Sequence, residues 1–429
     1  MLKSIGIHRF KSIRSQKLSL GKVNLFVGGN GSGKSNILEA IGLASASFGR
    51  GIGDIDLNEK GVRLSSPELM KSAHKNFEIP KTFELDCNFD NNINYKCNLT
   101  SKENDPHLRF HSESCYFNGV SQFGRSGNGS RAFGETLKAR IDKSRGLWDQ
   151  IRVAYDFDNQ LGNVFEEFSK YSIYSPQTDY LRGVKLGSVL KSPIGLHGEG
   201  LPLAVNDLIG QFHDLNKIGK KSERQKNIHH LTQQALDLVF LPQWTNSVKV
   251  GKIDKSFISR GVQDTETDMV YFIDRFMREG RNTLTAYDSS EGTLFLLFIS
   301  ILLAHVEAPK YFALDNVDNA LNPRLTRKLV EKIISMTKYV SEFDMDVGPR
   351  QVFLTSHNPT SLDAFDLFDE DQKIFIVKRN DKGQTIIDPL KPREGFTREK
   401  WSELMDGKNL SQLWLDGMIS GANGIEEEI

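Results

Sequence analysis

Two stretches of this sequence have the residue types and spacing for phosphate chemistry. The first is "VGGNGSGKSN", Val27 to Asn36. It fits the GxxxxGK[ST] pattern and lies between an apolar run that reads as a strand, "KVNLFV", and a run that reads as an amphipathic helix, "KSNILEAIGLASASF". Such glycines let backbone N–H groups converge on phosphates, and the helix N-terminus adds its dipole. Lys34 would reach the β- and γ-phosphates, and the Ser35 hydroxyl would ligate Mg²⁺. The expected nucleotide-binding set is Gly28, Asn30, Gly31, Ser32, Gly33, Lys34, Ser35 and Asn36. The second stretch is "YFALDNVDNALNP". An apolar strand ends there in Asp315, a carboxylate suited to the Mg²⁺ shell of the same nucleotide.

Two further segments add polar groups at element ends. "SSEGT", Ser289 to Thr293, opens a hydrophobic helix about twenty residues before Asp315. Its serine and helix-start N–H groups could cap the helix, bind a γ-phosphate, or do both. "FLTSHNP" ends another strand in His357, which could face a γ-phosphate and the attacking water or simply be a structural histidine.

These groups require an α/β framework. "LKSIGIHRF", "QKLSL" and "KVNLFV" read as strands. "TFELDCNF", "NYKCNLT" and "LRFHSESCYF" predict an antiparallel sheet from Thr82 to Phe117, with turns at "NNIN" and "SKENDPH". Gly119 to Gly134, rich in Gly, Ser and Arg, predicts a mobile loop. Helices dominate from about Glu135 to Leu241, around an irregular part at "YSPQTDYLRG". Strand-like texture returns at "WTNSVKVGKI" and "DMVYFIDRFM". Alternating helices and strands follow, up to "KIFIVKR". The expected divisions are 1–134, an N-terminal ATPase lobe; 135–285, a mainly helical lobe; 286–380, a C-terminal ATPase lobe; and 381–429, a docking tail.

Composition narrows the function classes. Lys+Arg and Asp+Glu are equal, at 55 each, so net charge gives no push toward nucleic acid or membrane. Cys87, Cys97 and Cys115 fit neither a disulfide framework nor a zinc site, and predict reduced residues in a cytoplasmic protein. No secretory signal precedes the phosphate-binding unit. The apolar run "TLFLLFISILLAHV" falls short of the ~20 residues needed to span a bilayer and predicts a buried helix. No repeat and no sustained heptad pattern is present.

The order "FKSIRS", P-loop, "SSEGT", "FALDNVDNALNP", "FLTSHNP" resembles the ABC-type ATPase heads of the RecF/SMC/OLD group. Within it the chain most resembles the stand-alone AAA-family ATPases of bacterial anti-phage systems, with the PtuA-type ATPases of Septu as the nearest likeness. This narrower likeness rests on the coil-free layout, the wording "LDNVDNALNP" and the tail "NLSQLWLDGMISGA". The resemblance implies a P-loop NTPase of ABC/SMC-head type with an antiparallel β lobe and a helical lobe. It also implies ATP and Mg²⁺ as ligands, and a homodimer or higher oligomer that sandwiches ATP between heads. Ser290 and Gly292 of one protomer would face the P-loop of the other, and Asn319 to Asn322 would be the loop crossing between them. A separate nuclease chain, of HNH type, is the implied partner. The alternatives are a RecF-like DNA-stimulated ATPase and a PARIS-like scaffold for a Toprim nuclease.

One departure bears on turnover. The group usually has Glu directly after the strand-end Asp, whereas Asn316 stands here. Asn can hydrogen-bond a water but cannot take its proton. The expectation is Mg²⁺-dependent ATP binding with slow or absent hydrolysis, unless a neighbour such as Asp318 supplies the base. No clear Q-loop glutamine is visible; Gln122 falls in the expected loop. The basic run Lys217 to Lys226 and Arg125 and Arg131 could touch DNA, though a solvated face explains the run as well. "DMDVG", Asp344 to Gly348, is set aside as a Toprim motif, "DLFDEDQ" as an acidic turn, and His229-His230 as an HNH site. Trp401, Leu413, Trp414 and Met418 in the tail could dock on the head or on a partner.

Overall fold

The chain opens with an antiparallel pair, β1 (Leu2–Phe10) and β2 (Ile13–Ser19), and runs into β3 (Val23–Val27), whose five residues are all buried. The computed structural model describes residues 1–101, 107–184, 192–253, 268–392, 395, 397–405 and 407–417. The described chain divides into two units, residues 1–173, 311–316 and 351–417, and residues 174–310 and 317–350.

In the first unit, β4 (Thr82–Phe89), β5 (Ile93–Thr100), β6 (Arg109–Phe117), β7 (Val120–Ser126), β8 (Gly129–Ala132) and β9 (Glu135–Thr136) join the first two strands. The result is an eight-stranded antiparallel sheet ordered β2-β1-β4-β5-β6-β7-β8-β9. Alternation drives it: Phe83, Leu85, Cys87 and Phe89 point inward from β4, and Ile93, Tyr95, Cys97 and Leu99 from β5. All three cysteines are free and buried here. The "SKENDPH" turn lies largely outside the described residues.

The expected mobile loop from Gly119 to Gly134 is instead the β7–β8 hairpin and its flanking turns. Gly119, Gly129 and Gly134 all take positive φ. They supply tight turns, which composition alone does not distinguish from flexibility. Gln122 and Arg125 are therefore buried sheet residues. Arg125 pairs with buried Glu113, which also accepts from Tyr95 Oη at 2.6 Å and from the Leu147 N–H at 3.2 Å. Arg131 is an exposed residue of β8.

After β10 (Ser172–Tyr174), three strands lie in the second unit: β11 (Thr245–Lys252), β12 (Asp268–Asp274) and β13 (Thr283–Thr285). The chain then returns as β14 (Tyr311–Leu314), β15 (Gln351–Ser356), β16 (Gln372–Arg379) and β17 (Thr385–Leu390). These form a six-stranded sheet ordered β10-β14-β15-β3-β16-β17, with β14, β15, β3 and β16 parallel. The near-continuous apolar texture of these strands is what a parallel sheet covered on both faces requires. The helix Lys34–Ala46 packs on β4 and β15, strands of the two different sheets, and 11 of its 13 residues are buried. Residues at the C-terminal ends of β3, β14 and β15 share one edge, where open parallel sheets place ligands.

The second unit contains the antiparallel sheet β11-β12-β13 and the helices Leu201–Lys217, Glu223–Asp237, Glu291–Ala304 and Pro323–Glu342. The Glu291–Ala304 helix is buried along nearly its whole length, as its apolar run predicts. Among the described residues no helix is long and apolar enough to cross a membrane, and the longest has 20 residues. The α/β class with an antiparallel lobe, a helical lobe and no long coiled coil is thus the observed architecture.

Candidate nucleotide site

β3 ends at Val27 and the chain turns over Gly28 to Gly33 into the helix beginning at Lys34. Two glycines are dictated by their surroundings. A Cβ on Gly28 would lie 2.0 Å from the Val377 carbonyl oxygen of β16, and one on Gly33 would lie 2.3 Å from Thr385 Oγ1 of β17. Gly33 also takes φ 109°, which side-chain-bearing residues rarely adopt. Asn30 and Gly31 form the exposed crest. Lys34 is buried, with Nζ donating to the carbonyls of Gly28 at 2.7 Å and Gly29 at 3.0 Å. Ser32 Oγ is buried with no hydrogen-bond partner among the described residues. A buried hydroxyl left so is costly, and a phosphate oxygen supplies the missing acceptor. The loop thus offers a phosphate oxygen a buried donor.

β14 delivers Asp315 to the same edge. Ser35 Oγ donates to Asp315 Oδ2 at 3.1 Å. Thr355 of β15 donates from Oγ1 to Asp315 Oδ1 at 2.6 Å and accepts the Asn316 N–H at 2.8 Å. Mg²⁺ binds through one or two protein oxygens, phosphates and waters, so the Ser35–Asp315 pair fits it. Asn316 has φ 59°, a left-handed conformation that Asn tolerates better than most residues. His357 is exposed one residue past β15, and Asn358 caps the 3₁₀ turn Pro359–Ala364.

Several contacts of this site cannot be read from any local sequence pattern. The "FKSIRS" turn clamps the P-loop helix: Lys11 pairs with buried Glu39, which also pairs with Arg63. Asn36 Nδ2 donates to Ser12 Oγ at 2.7 Å, and Ser12 Oγ meets Thr385 Oγ1 at 2.7 Å. Thr385 Oγ1 donates to the Ser32 carbonyl at 2.8 Å, and Arg379 Nε to the Gly31 carbonyl at 3.1 Å. Burial lowers the Arg379 pKa. Burial, then the charges of Arg379 and Arg14, hold His74 below its ordinary value, and among the described residues its buried Nε2 has no hydrogen-bond partner. Tyr171, under the P-loop helix, donates to the Leu38 carbonyl. Burial, then the carboxylates of Asp315 and Glu39, keep its phenol neutral far above the ordinary range.

The second unit holds the other predicted residues. Ser290 is exposed and is the N-cap of the Glu291–Ala304 helix, its Oγ accepting the Thr293 N–H at 3.3 Å and meeting Thr293 Oγ1 at 2.8 Å. The capping reading of "SSEGT" thus holds. A Cβ on Gly292 would come within 3.0 Å of the Ala320 carbonyl oxygen, so the Asn319–Asn322 loop rests on the glycine's backbone. Asn322 caps the next helix, accepting the Leu325 N–H at 3.0 Å. Asp318 is buried. Gln177, which has no motif around it in the irregular segment, stands three residues past β10, the strand beside β14. The features set aside are otherwise engaged: Asp346 pairs with Arg224, and His229 Nε2 meets Asn216 Oδ1 at 2.6 Å. Asp366 pairs with Arg398 at 2.7 Å. In the first unit the tail docks on the head, with Ser411 Oγ donating to Asp363 at 2.7 Å and Trp414 buried. Met418 and the residues after it lie outside the described residues.

One protein family matches most of the chain. The family described as "AAA domain, putative AbiEii toxin, Type IV TA system" matches residues 23–363. No curated protein matches the sequence. Among solved structures, the chain is similar to the SMC head domain from Thermotoga maritima, at 16% identity and a TM-score of 0.42, over 91% of this chain and 99% of that one. It is similar to the recombination mediator protein RecF with bound nucleotide, at 16% identity and 0.33, over 91% and 98%. It is also similar to cbiO1 from Clostridium perfringens, part of an ABC transporter complex, at 11% identity and 0.32, over 97% and 98%. Likeness at these scores carries no functional argument, which rests on the residues and the family.

Proposed function

The chain belongs to this AAA domain family, and from that premise we propose that it is the ATP-binding subunit of an anti-phage defence complex of Septu-like type. Nucleotide-dependent pairing of its heads would regulate a partner nuclease. The single observation that carries the nucleotide half is the meeting of Ser35 and Asp315 beneath a P-loop whose Ser32 hydroxyl has no partner among the described residues. The P-loop N–H groups and Lys34 hold the phosphates, and Ser35 and Asp315 hold Mg²⁺, which neutralises phosphate charge. Ser290 and the N-terminus of the Glu291–Ala304 helix supply donors to the γ-phosphate held by a second protomer. His357, one residue past β15, stands at a strand end suited to orienting a water.

Hydrolysis is slow in this reading. Asn316 leaves the proton of an attacking water without an acceptor, and a positioned base contributes about 10²- to 10⁴-fold. Bound ATP is then read as a ligand: it biases the assembly only by binding one arrangement better than another. A family whose description names a toxin of a toxin–antitoxin system suits a chain whose output is held in check. The nuclease half rests on the likeness of "LDNVDNALNP" and of the docked tail to anti-phage ATPases. Co-purification of the chain with its genomic neighbour, with and without ATP, tests it. A small HNH nuclease is expected; a Toprim protein, or no partner in either condition, contradicts it.

A further inference from the structure

The β12–β13 hairpin of the second unit carries an unusual tip, "RFMREGRN", Arg275 to Asn282. Residues 275 to 281 are all exposed, with Phe276 at 73% and Met277 at 48%. Three arginines stand there against one carboxylate, Glu279. Among the described residues no carboxylate pairs with Arg275, Arg278 or Arg281, whereas three of the five basic residues between Lys217 and Lys226 are paired: Lys217 with Asp214, Arg224 with Asp346 and Lys226 with Glu223. The one acid adjoining the tip, Asp274, is used in the turn, where its Oδ1 accepts the Phe276 N–H at 2.8 Å. The Arg275 guanidinium lies over the Phe276 ring, 4.6 Å from its centroid. On the same sheet Lys249 stands opposite Tyr271 in the register, exposed and, among the described residues, without a carboxylate partner.

We propose that this hairpin tip is a binding site for single-stranded nucleic acid. Unpaired guanidiniums suit phosphates, and an exposed aromatic ring beside a guanidinium plane suits an unstacked base. An acidic protein surface would use the charges but leaves the stacked Arg275–Phe276 pair without a role. The tip is also joined to the Glu291–Ala304 helix. The Arg275 N–H donates to the Trp244 carbonyl at 3.0 Å, Trp244 Nε1 donates to Thr293 Oγ1 at 2.8 Å, and Thr293 meets Ser290. Nucleic acid at the tip is thereby read at Ser290. This coupling rests on the proposed role of Ser290 toward nucleotide; the binding does not.

The test is fluorescence anisotropy of a labelled single-stranded oligonucleotide, and of the matching duplex, with the full chain over a range of salt. The triple variant Arg275→Gln/Arg278→Gln/Arg281→Gln should weaken single-strand binding at least tenfold and lower the salt slope by about 2, at about 0.7 for each phosphate no longer neutralised. Phe276→Ala should weaken it about tenfold, an effect that persists at high salt. The control Lys220→Gln/Lys221→Gln should change little. Absence of oligonucleotide binding, or an equal loss in the control, overturns the site, as does binding of anionic vesicles instead with the same variant dependence. For the coupling, nucleic acid and nucleotide must alter each other's affinity by one shared factor. Trp244→Phe should keep oligonucleotide affinity and abolish that factor; an unchanged factor overturns the relay. Failure of nucleotide binding would sink the proposed function alone, because the oligonucleotide titration is run first without nucleotide.

Discussion

Ser35 and Asp315, 280 residues apart in the chain, meet through a hydrogen bond of 3.1 Å from Ser35 Oγ to Asp315 Oδ2. A hydroxyl from a helix start and a carboxylate from a neighbouring strand end thus occupy one point on the edge of the parallel sheet. Each is the ligand the other needs to share a divalent cation. Asp315→Ala should lower nucleotide affinity about 10- to 100-fold in Mg²⁺, the scale of a lost charged interaction. Chelating Mg²⁺ should cost the native chain a similar factor and the variant almost nothing. Calorimetric titration with and without chelator checks this, and equal Mg²⁺ dependence in both proteins contradicts it.

Asn316 makes a separable prediction. Its backbone is left-handed, and Asp tolerates that conformation nearly as Asn does. Asn316→Asp should therefore install a carboxylate without disturbing the turn and raise ATP turnover about 10²-fold. Asn316→Ala should leave turnover near its native level, because no base is removed, and should cost about 1–2 kcal/mol of stability. A large loss of turnover in Asn316→Ala would show that the amide is essential.

The buried Glu113–Arg125 pair predicts how the β lobe fails. Both side chains are within 4% of full burial. Arg125→Met should destabilise by about 3–5 kcal/mol, because it leaves Glu113 charged and unpaired, whereas Arg125→Met with Glu113→Gln should recover much of that. Denaturant unfolding measures both. Hydrogen exchange should show Val120–Ala132 protected as a hairpin.

His74 sets a pH dependence. Its folded pKa lies below the ordinary 6.5, chiefly through burial. Well above pH 6.5 the imidazole is neutral in both states and adds no pH dependence. As pH falls below that value the unfolded chain takes up the proton first, so stability drops until the folded pKa is passed. His74→Gln should lose less melting temperature between pH 7.5 and pH 5.5 than the native chain.

Local patterns are legible in the sequence and tertiary meetings are not. The P-loop reads directly because its glycines, Lys34 and Ser35 are contiguous and flanked by an apolar strand and a helix. β4, β5 and β6 read from their period-two burial. Thr355 and Ser12 lie in the quoted stretches "FLTSHNP" and "FKSIRS" but, like Thr385 and Arg379, give no sign there of their partners: each reaches the site from its own strand or strand-end turn, and strand pairing alone brings those segments together. The β7–β8 hairpin passes for a loop because Gly119, Gly129 and Gly134 serve turn geometry, while the inward Phe123 and Arg125 that betray a strand are interleaved with Gly and Ser.

The most direct test of the central claim is ATP turnover by the purified chain at saturating Mg²⁺–ATP, beside an ATP-binding titration on the same sample. The account predicts saturable binding, lost in Lys34→Ala, with little or no turnover. Rapid turnover that Lys34→Ala abolishes would contradict it, and would place the proton acceptor on a residue other than Asn316, Asp318 first.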